Sequence, residues 1–372
     1  MTQNELVQLT KQLCVIPAPS NHEEKRAEFC KNYFERVGAK DAYIDDALNV
    51  VVPIDCDKYE DIAVIMAHTD TVFPDMTPFT PREENGRLYC PAVGDDTVHL
   101  AFLMLCVADI IKYKKKPKMG LLFVANSGEE GLGNLKGVRK IMEEYASRVK
   151  EFITLDGTVK HFVTHAVGSH RYRISITAQG GHSFSAFGNS NALHVASQLV
   201  TRLYDIAVPK KDGTKTTYNV GMISGGTSVN TIAQSAEMLY EYRSDDKECL
   251  AFMQKCFRET VEKLLSDRKD DQVNINVELI GERPCGGDVD KTAQKALVDR
   301  CMAAYNEAGI ENIRVDSGST DCNIPLSLGI PSVCIGIAEF YGAHTREENL
   351  VLESLNAGIE AAQKVIGHYF DA

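Results

Sequence analysis

Four times in the first half of this sequence, an apolar stretch begins or ends in a cluster of carboxylate or imidazole side chains, and that repetition restricts the fold more than any other feature. Residues 62–67 (IAVIMA) run into His68, Thr69, Asp70 and Thr71. Gly94, Asp95 and Asp96 stand at the head of the apolar stretch 100–111. Residues 119–126 (MGLLFVAN) run into Ser127, Gly128, Glu129, Glu130 and Gly131, and residues 152–155 end in Asp156 and Gly157. Short unbroken apolar runs read as strands buried on both faces, as in a parallel sheet between helices. Open α/β sheets bind ligands beyond the carboxyl ends of such strands. Side chains two apart in an extended chain share a face, so His68 and Asp70 point the same way. Glu129 and Glu130 are adjacent and cannot, so one is free to hold a metal while the other faces a reacting centre. Singly, each cluster has a plainer reading: a surface hydrogen bond for His68 and Asp70, first-turn helix acids for Asp95 and Asp96, a solvated acidic turn for the glutamates. Their repetition favours one shared site.

The chain has 372 residues, enough for two domains, and at 44% hydrophobic content each can hold a core. Its character changes at Gly168. RYRISITA (171–178) and VNINVEL (273–279) alternate polar with apolar residues, the pattern of antiparallel strands with one solvated face. Between them the pattern predicts a helix over 191–206, strands over 217–223 and 231–243, and a helix over 246–265 whose Cys249, Met253, Cys256, Phe257, Val261 and Leu264 share a face. This β-α-β-β-α-β order describes a ferredoxin-like α+β module. After Gly286 and Gly287 the α/β character returns, with a Gly/Ser-rich turn at Asp321 and a loop, AEFYGAHTREEN, that carries His344. The expected architecture is an α/β catalytic domain, residues 1–166 and 282–372, with a mostly parallel or mixed sheet between helices, interrupted by an inserted α+β module at 167–281. Within it, Gly94 is expected to allow a tight turn, and Ser20, Asn21 and His22 to cap the helix that follows.

A net charge of −12 disfavours nucleic acid as a partner, and the one basic run, KYKKKPK (112–118), reads as a solvated connection. The N-terminal residues show no signal-peptide pattern, and the apolar stretch 100–111 is too short to span a membrane. Eleven scattered cysteines without a Cys-x-x-Cys pair suit free thiols in a reducing cytoplasm.

The ordered set HTDT, GDD before a helix, SGEEG after a strand, LDG and YGAHTREEN resembles the cocatalytic zinc peptidases that include peptidase T, glutamate carboxypeptidase, bacterial dipeptidases and the deacylases of acetylornithine and succinyl-diaminopimelate. The resemblance covers nearly the whole chain, the inserted module included. It implies two zinc ions, with cobalt or manganese as substitutes, bridged by Asp95. One is completed by His68 and Asp156, the other by Glu130 and His344. It further implies that Asp70 orients the His68 ring and that Glu129 is the general base. His182, in the GGHS turn of the inserted module, would supply a hydrogen bond to the oxyanion, often at the partner subunit's site. Asn230 (GGTSVNTIA) and Arg243 (EYRSD) match positions that contact the substrate's backbone or terminal carboxylate.

The chain departs from the family's usual DDKAG: Thr97, Val98 and His99 follow Asp96. Every ligand position is nonetheless filled. In this family an Asp at position 156 accompanies aminopeptidase, dipeptidase or tripeptidase activity, so the expected substrate is a short peptide with a free amino end. An N-acyl amino acid deacylase or carboxypeptidase of the same chemistry is the alternative, and a non-catalytic binder is the third reading, prompted by the altered DDTVH segment. The exposed sheet edge of the inserted module points to a homodimer.

Overall fold

The structure, a computed structural model, describes residues 1–268 and 272–371. It forms two compact units, Met1–Ala166 with Gly286–Ala372, and Val167–Cys285. No described helix is long and apolar enough to cross a membrane.

The first unit is built on an eight-stranded mixed sheet in the spatial order Tyr43–Ile44, Val50–Ile54, Gly120–Asn126, Ile62–His68, Val149–Leu155, Ser332–Ile335, His161–Ala166, Arg314–Gly318. The four strands from Gly120–Asn126 to Ser332–Ile335 run parallel. Every residue of Ile62–His68 and of Gly120–Asn126 is buried, which is why both read as unbroken apolar runs. Alternate side chains feed two cores. Ala63, Ile65 and Ala67 pack with the helices Gln3–Cys14, Glu24–Val37, Val98–Lys112, Lys291–Glu307 and Leu355–Gly367. Ile62, Val64 and Met66 pack with the helix Lys136–Tyr145 on the other face.

The second unit is a four-stranded antiparallel sheet in the order Thr216–Gly225, Ser235–Ser244, Gly168–Ala178, Val273–Arg283, with the helices Ala192–Tyr204 and Lys247–Ser266 packed into its core. Tyr172, Ile174, Ile176, Met238, Tyr240 and Tyr242 enter that core. The intervening residues carry cross-strand ion pairs, Arg171 with Glu241 and Arg173 with Glu278. The alternation seen in the sequence is therefore the partition between helices and solvent.

Several local expectations are corrected. The strand begun at 273 continues past 281 to Arg283, because Gly281 and Arg283 still pair with Arg171 and Ser169 across a bulge. The stretch 231–243 is not one strand. Thr231–Ile232 pairs with Gly181–His182, the Ala233 carbonyl turns to accept the Ala192 N–H, and the sheet strand starts only at Ser235. The helix Glu24–Val37 begins without a side-chain cap; the buried Glu23 carboxylate instead accepts the Asn21 N–H and pairs with Lys136. Asp95 and Asp96 are not first-turn acids of a regular helix: both have non-helical backbone angles, and the helix starts at Val98. Gly94 is required for contact rather than for an unusual turn, since a Cβ there would lie 2.2 Å from the Phe340 ring.

Candidate metal centre

From the strand Ile62–His68 the chain passes through the helix Val98–Lys112 to the neighbouring strand Gly120–Asn126, then through Lys136–Tyr145 to Val149–Leu155 on the opposite side. This reversal opens a crevice at the carboxyl ends of the three strands, the position at which α/β sheets take ligands. His68 ends the first strand, Glu129 and Glu130 follow the second, and Asp156 follows the third. Asp95 sits in the turn before the Val98 helix, and His344 lies in the loop between two short strands, Phe340–Tyr341 and Asn349–Val351, with a left-handed backbone at φ 65°.

Asp95 is the centre of this group. Its Oδ1 lies 3.1 Å from His68 Nε2 and its Oδ2 lies 3.1 Å from His344 Nε2. The same His344 nitrogen is 3.3 Å from Glu130 Oε1. Donor atoms gather within 4.8 Å of one another in three sets: His68, Asp95 and Asp156; Asp95, Glu130 and His344; and His68, Glu129 and Glu130. Asp95 belongs to the first two and offers a different oxygen to each histidine.

A surrounding layer fixes these side chains. The Asp70 carboxylate accepts the backbone N–H groups of Glu129 and Glu130, both at 2.9 Å, and the Ser20 hydroxyl at 2.6 Å. His68 Nδ1 is nearer to the Asp70 carbonyl oxygen, at 3.1 Å, than to its carboxylate, at 3.4 Å. The Asp70 carboxylate thus holds the backbone of the glutamate turn. The Asn126 carbonyl accepts both the N–H and the hydroxyl of Thr69, and the Asn126 amide donates to the buried Asp321 at 2.7 Å.

Sequence reasoning missed Ser20, Asp321 and above all Glu348. The Glu348 carboxylate is fully buried and accepts the N–H groups of Gly94 (2.7 Å), Asp95 (2.9 Å) and Ala92 (3.2 Å). In REEN nothing separates it from the solvated Glu347 beside it. Glu348→Ala leaves the N–H groups of Ala92, Gly94 and Asp95 without their charged acceptor, and the expected loss is about 3–5 kcal/mol, that of removing one partner from a buried charged contact. Urea unfolding of the metal-free protein measures it; a loss within experimental error would show that water takes over the cradle. Glu348→Gln, which keeps one acceptor oxygen, is expected to lose less.

The second unit holds the remaining predicted residues. His182 Nδ1 accepts the N–H groups of Phe184 (3.3 Å) and Ser185 (3.4 Å), which leaves the proton of a neutral ring on Nε2. Asn230 is close by, its carbonyl accepting the Ser183 N–H. Arg243 is not: it pairs with Ser169 at the other end of the sheet, and its guanidinium is bound bidentately by Glu241 at 3.0 and 3.1 Å.

The sequence profile of peptidase family M20/M25/M40 matches residues 64–368. The chain belongs to this family. It is similar to the succinyl-diaminopimelate desuccinylase of Corynebacterium glutamicum, 24% identical over 355 residues that cover 93% of this chain and 92% of that one. Among solved structures, a tripeptidase from Staphylococcus aureus superposes with a TM-score of 0.75 at 21% identity over 99% of both chains. Aminopeptidase PepT from Bacillus cereus superposes with a TM-score of 0.74 at 20% identity over 98% of both. At these identities the two structures establish the fold, which agrees with the α/β domain and inserted α+β module read from the sequence. As a member of a peptidase family, the chain is a hydrolase of peptide or amide bonds.

The charges of this M20/M25/M40 peptidase explain what its crevice can hold. Six carboxyl groups, Asp70, Asp95, Asp96, Glu129, Glu130 and Asp156, gather around the imidazoles of His68, His99 and His344. Burial pushes Asp96 and Asp156 well above the usual carboxylate range and Glu130 up to about 7. Burial acts on Asp95 in the same direction, but His344 and His68 outweigh it and hold that carboxyl low. Asp95 and then Glu130 push His344 up to about 10. Such an excess of buried acid suits divalent cations, and oxygen with imidazole donors is a set that zinc accepts. Two donors at about 2.0–2.1 Å from a tetrahedral ion lie about 3.3 Å apart, close to the separations around Asp95.

Proposed function

We propose that this protein is a two-zinc peptidase that removes residues from short peptides with a free amino end. The observation that carries the reading is the division of Asp95, one carboxylate oxygen toward His68 and the other toward His344. In this reading His68, Asp95 and Asp156 hold one zinc, and Asp95, Glu130 and His344 the other. Cobalt or manganese would serve as substitutes. Bound there, the pair of ions supplies Lewis acidity and lowers the pKa of water enough to give a nucleophile near neutral pH.

The chain's own residues do the rest. Glu129, unlike Glu130, has no assigned ligand role, and its carboxylate takes the proton from the attacking water and later delivers it to the departing amine. Asp70 holds the backbone that aims it. His182, with its proton on Nε2, is the donor assigned to the developing oxyanion. Asn230 and Arg243 are assigned to the substrate's backbone and terminal carboxylate.

A homodimer is part of this proposal. Ser169, opposite Arg243, and Ala178, near His182, are separated by nine residues of one strand, roughly 30 Å at 3.3 Å per residue. A short peptide cannot reach both from one copy of the module, which favours a second copy supplying His182 and Asn230. The strand Thr216–Gly225 forms an edge of the sheet with Met222 and Ile223 exposed, a surface on which such pairing can form. All eleven cysteines are free thiols and all but Cys256 are buried, which supports the cytoplasm as the compartment.

The similarity to a desuccinylase favours a second reading, hydrolysis of N-acyl amino acids with the same site. Zinc-loaded protein assayed against di- and tripeptides, N-acetyl and N-succinyl amino acids, and carboxypeptidase substrates separates the two. Turnover of tripeptides above all others is expected. Preference for the N-acyl substrates would establish the second reading, and turnover of none would leave a binding protein.

A further inference from the structure

His99 stands where the resemblance leads one to expect glycine, on the first turn of a helix whose neighbouring residues Val98, Leu100, Ala101, Phe102, Leu103 and Met104 are all buried and apolar. It is itself fully buried. Its Nε2 accepts the Ile337 N–H at 3.1 Å, so a neutral ring carries its proton on Nδ1. That nitrogen lies 2.6 Å from Asp96 Oδ1, a close ion-pair contact, and the Gly94 backbone also hydrogen-bonds the ring. The other oxygen of Asp96 accepts the His68 N–H at 2.8 Å. The ring edge rests against Phe340, 6.5 Å between centroids.

The result is a continuous connection from the Ile337 backbone, through the His99 ring and the Asp96 carboxylate, to the backbone of His68. His68 ends its strand, and Ile337 lies two residues beyond the strand Ser332–Ile335. The 335–338 backbone is in turn paired with the segment that carries Asp156: Ile335 accepts the Asp156 N–H at 3.0 Å and Ala338 accepts the Val159 N–H at 2.9 Å. Asp95 is the residue before Asp96. One imidazole therefore ties together the backbone segments that present His68, Asp95 and Asp156, while Glu130 and His344 lie outside the connection.

We propose that His99 is a positioning residue that acts more strongly on the His68–Asp95–Asp156 cation site than on the other, which shares only Asp95 with this connection. The proposal rests on the two-cation reading above. Residues that orient ligands through a second hydrogen bond typically contribute about 10–100-fold to metal affinity. The glycine expected here offers no such bond, so this chain has an additional restraint on the shared turn.

The test titrates metal-free full-length protein with zinc by calorimetry, in two backgrounds that each retain one site. His344→Ala leaves the first site and Asp156→Ala leaves the second. His99→Gln keeps a group able to accept the Ile337 N–H but loses the donor at the Nδ1 position. It is expected to weaken zinc about 10–100-fold in the His344→Ala background and clearly less in the Asp156→Ala background, where only Asp95 depends on the connection. His99→Asn, which keeps a donor toward Asp96, is expected to retain the first constant. Equal weakening in both backgrounds, or in neither, overturns the proposal; a purely structural role lowers the melting temperature without separating the two sites. Should His99→Gln fail to fold, Asp96→Asn in the same backgrounds carries the test, with the same selective loss expected. If the parent protein binds fewer than two zinc ions, the two-cation reading fails, whatever His99 does.

Discussion

Glu129→Gln is expected to lower kcat for a tripeptide by about 10²–10⁴-fold while both zinc ions stay bound. Glutamine matches the volume and shape of glutamate, so the packing of this buried residue is preserved. What is lost is the capacity to take up a proton. The backbone of the turn does not depend on the side chain, because the Glu129 and Glu130 N–H groups are both held by Asp70 at 2.9 Å. The substitution thus separates two roles open to Glu129, since its donor atom also falls in a set with His68 and Glu130. A base that is not a ligand loses turnover and keeps metal, whereas a ligand loses both. Metal content by mass spectrometry alongside kcat distinguishes them. A vacant position in Glu129→Gln would move Glu129 into the coordination sphere, and an unchanged kcat would remove it from the reaction.

The strands that build the crevice were readable because burial on both faces leaves no room for polar residues within them. His68, Glu129 with Glu130, and Asp156 stand out where those runs stop. The inserted module was equally readable, since one face of its sheet meets helices and the other carries Arg171, Arg173, Glu241 and Glu278. The layer behind the ligands was not. Glu348 lies 253 residues from Asp95, and a carboxylate that accepts backbone N–H groups looks, in a sequence, like any exposed glutamate. Asp96 reads as a helix-start acid until its two oxygens are seen to engage His68 and His99. His99 was visible only as a departure from the family pattern, and its function follows from a contact with a backbone N–H 238 residues away. Local pattern reports which side chains are anomalous where they stand. It does not report the long-range backbone groups that make the anomaly useful.

Removal of the Asp95 carboxylate should have the largest effect of any single substitution in this protein. Asp95 is the one side chain shared by the two donor sets that the proposed zinc sites use, with an oxygen 3.1 Å from each histidine. Asp156→Ala or His344→Ala removes a donor from one set and leaves the other complete. Asp95→Ala reduces both, to His68 with Asp156 and to Glu130 with His344, and two protein donors fall short of the three that a catalytic zinc ordinarily has. Loss of both ions after dialysis, and of all measurable turnover, is therefore expected, against retention of one ion in either of the other variants. The fold should persist, because the turn is held through the Asp95 backbone by Glu348 and through Asp96 by His68 and His99, and neither connection uses the Asp95 side chain. Circular dichroism of Asp95→Ala checks that point and equilibrium dialysis against zinc checks the first. If Asp95→Ala still held one ion tightly, the carboxylate would belong to a single site, and the two histidines on either side of it would have to be assigned to separate functions.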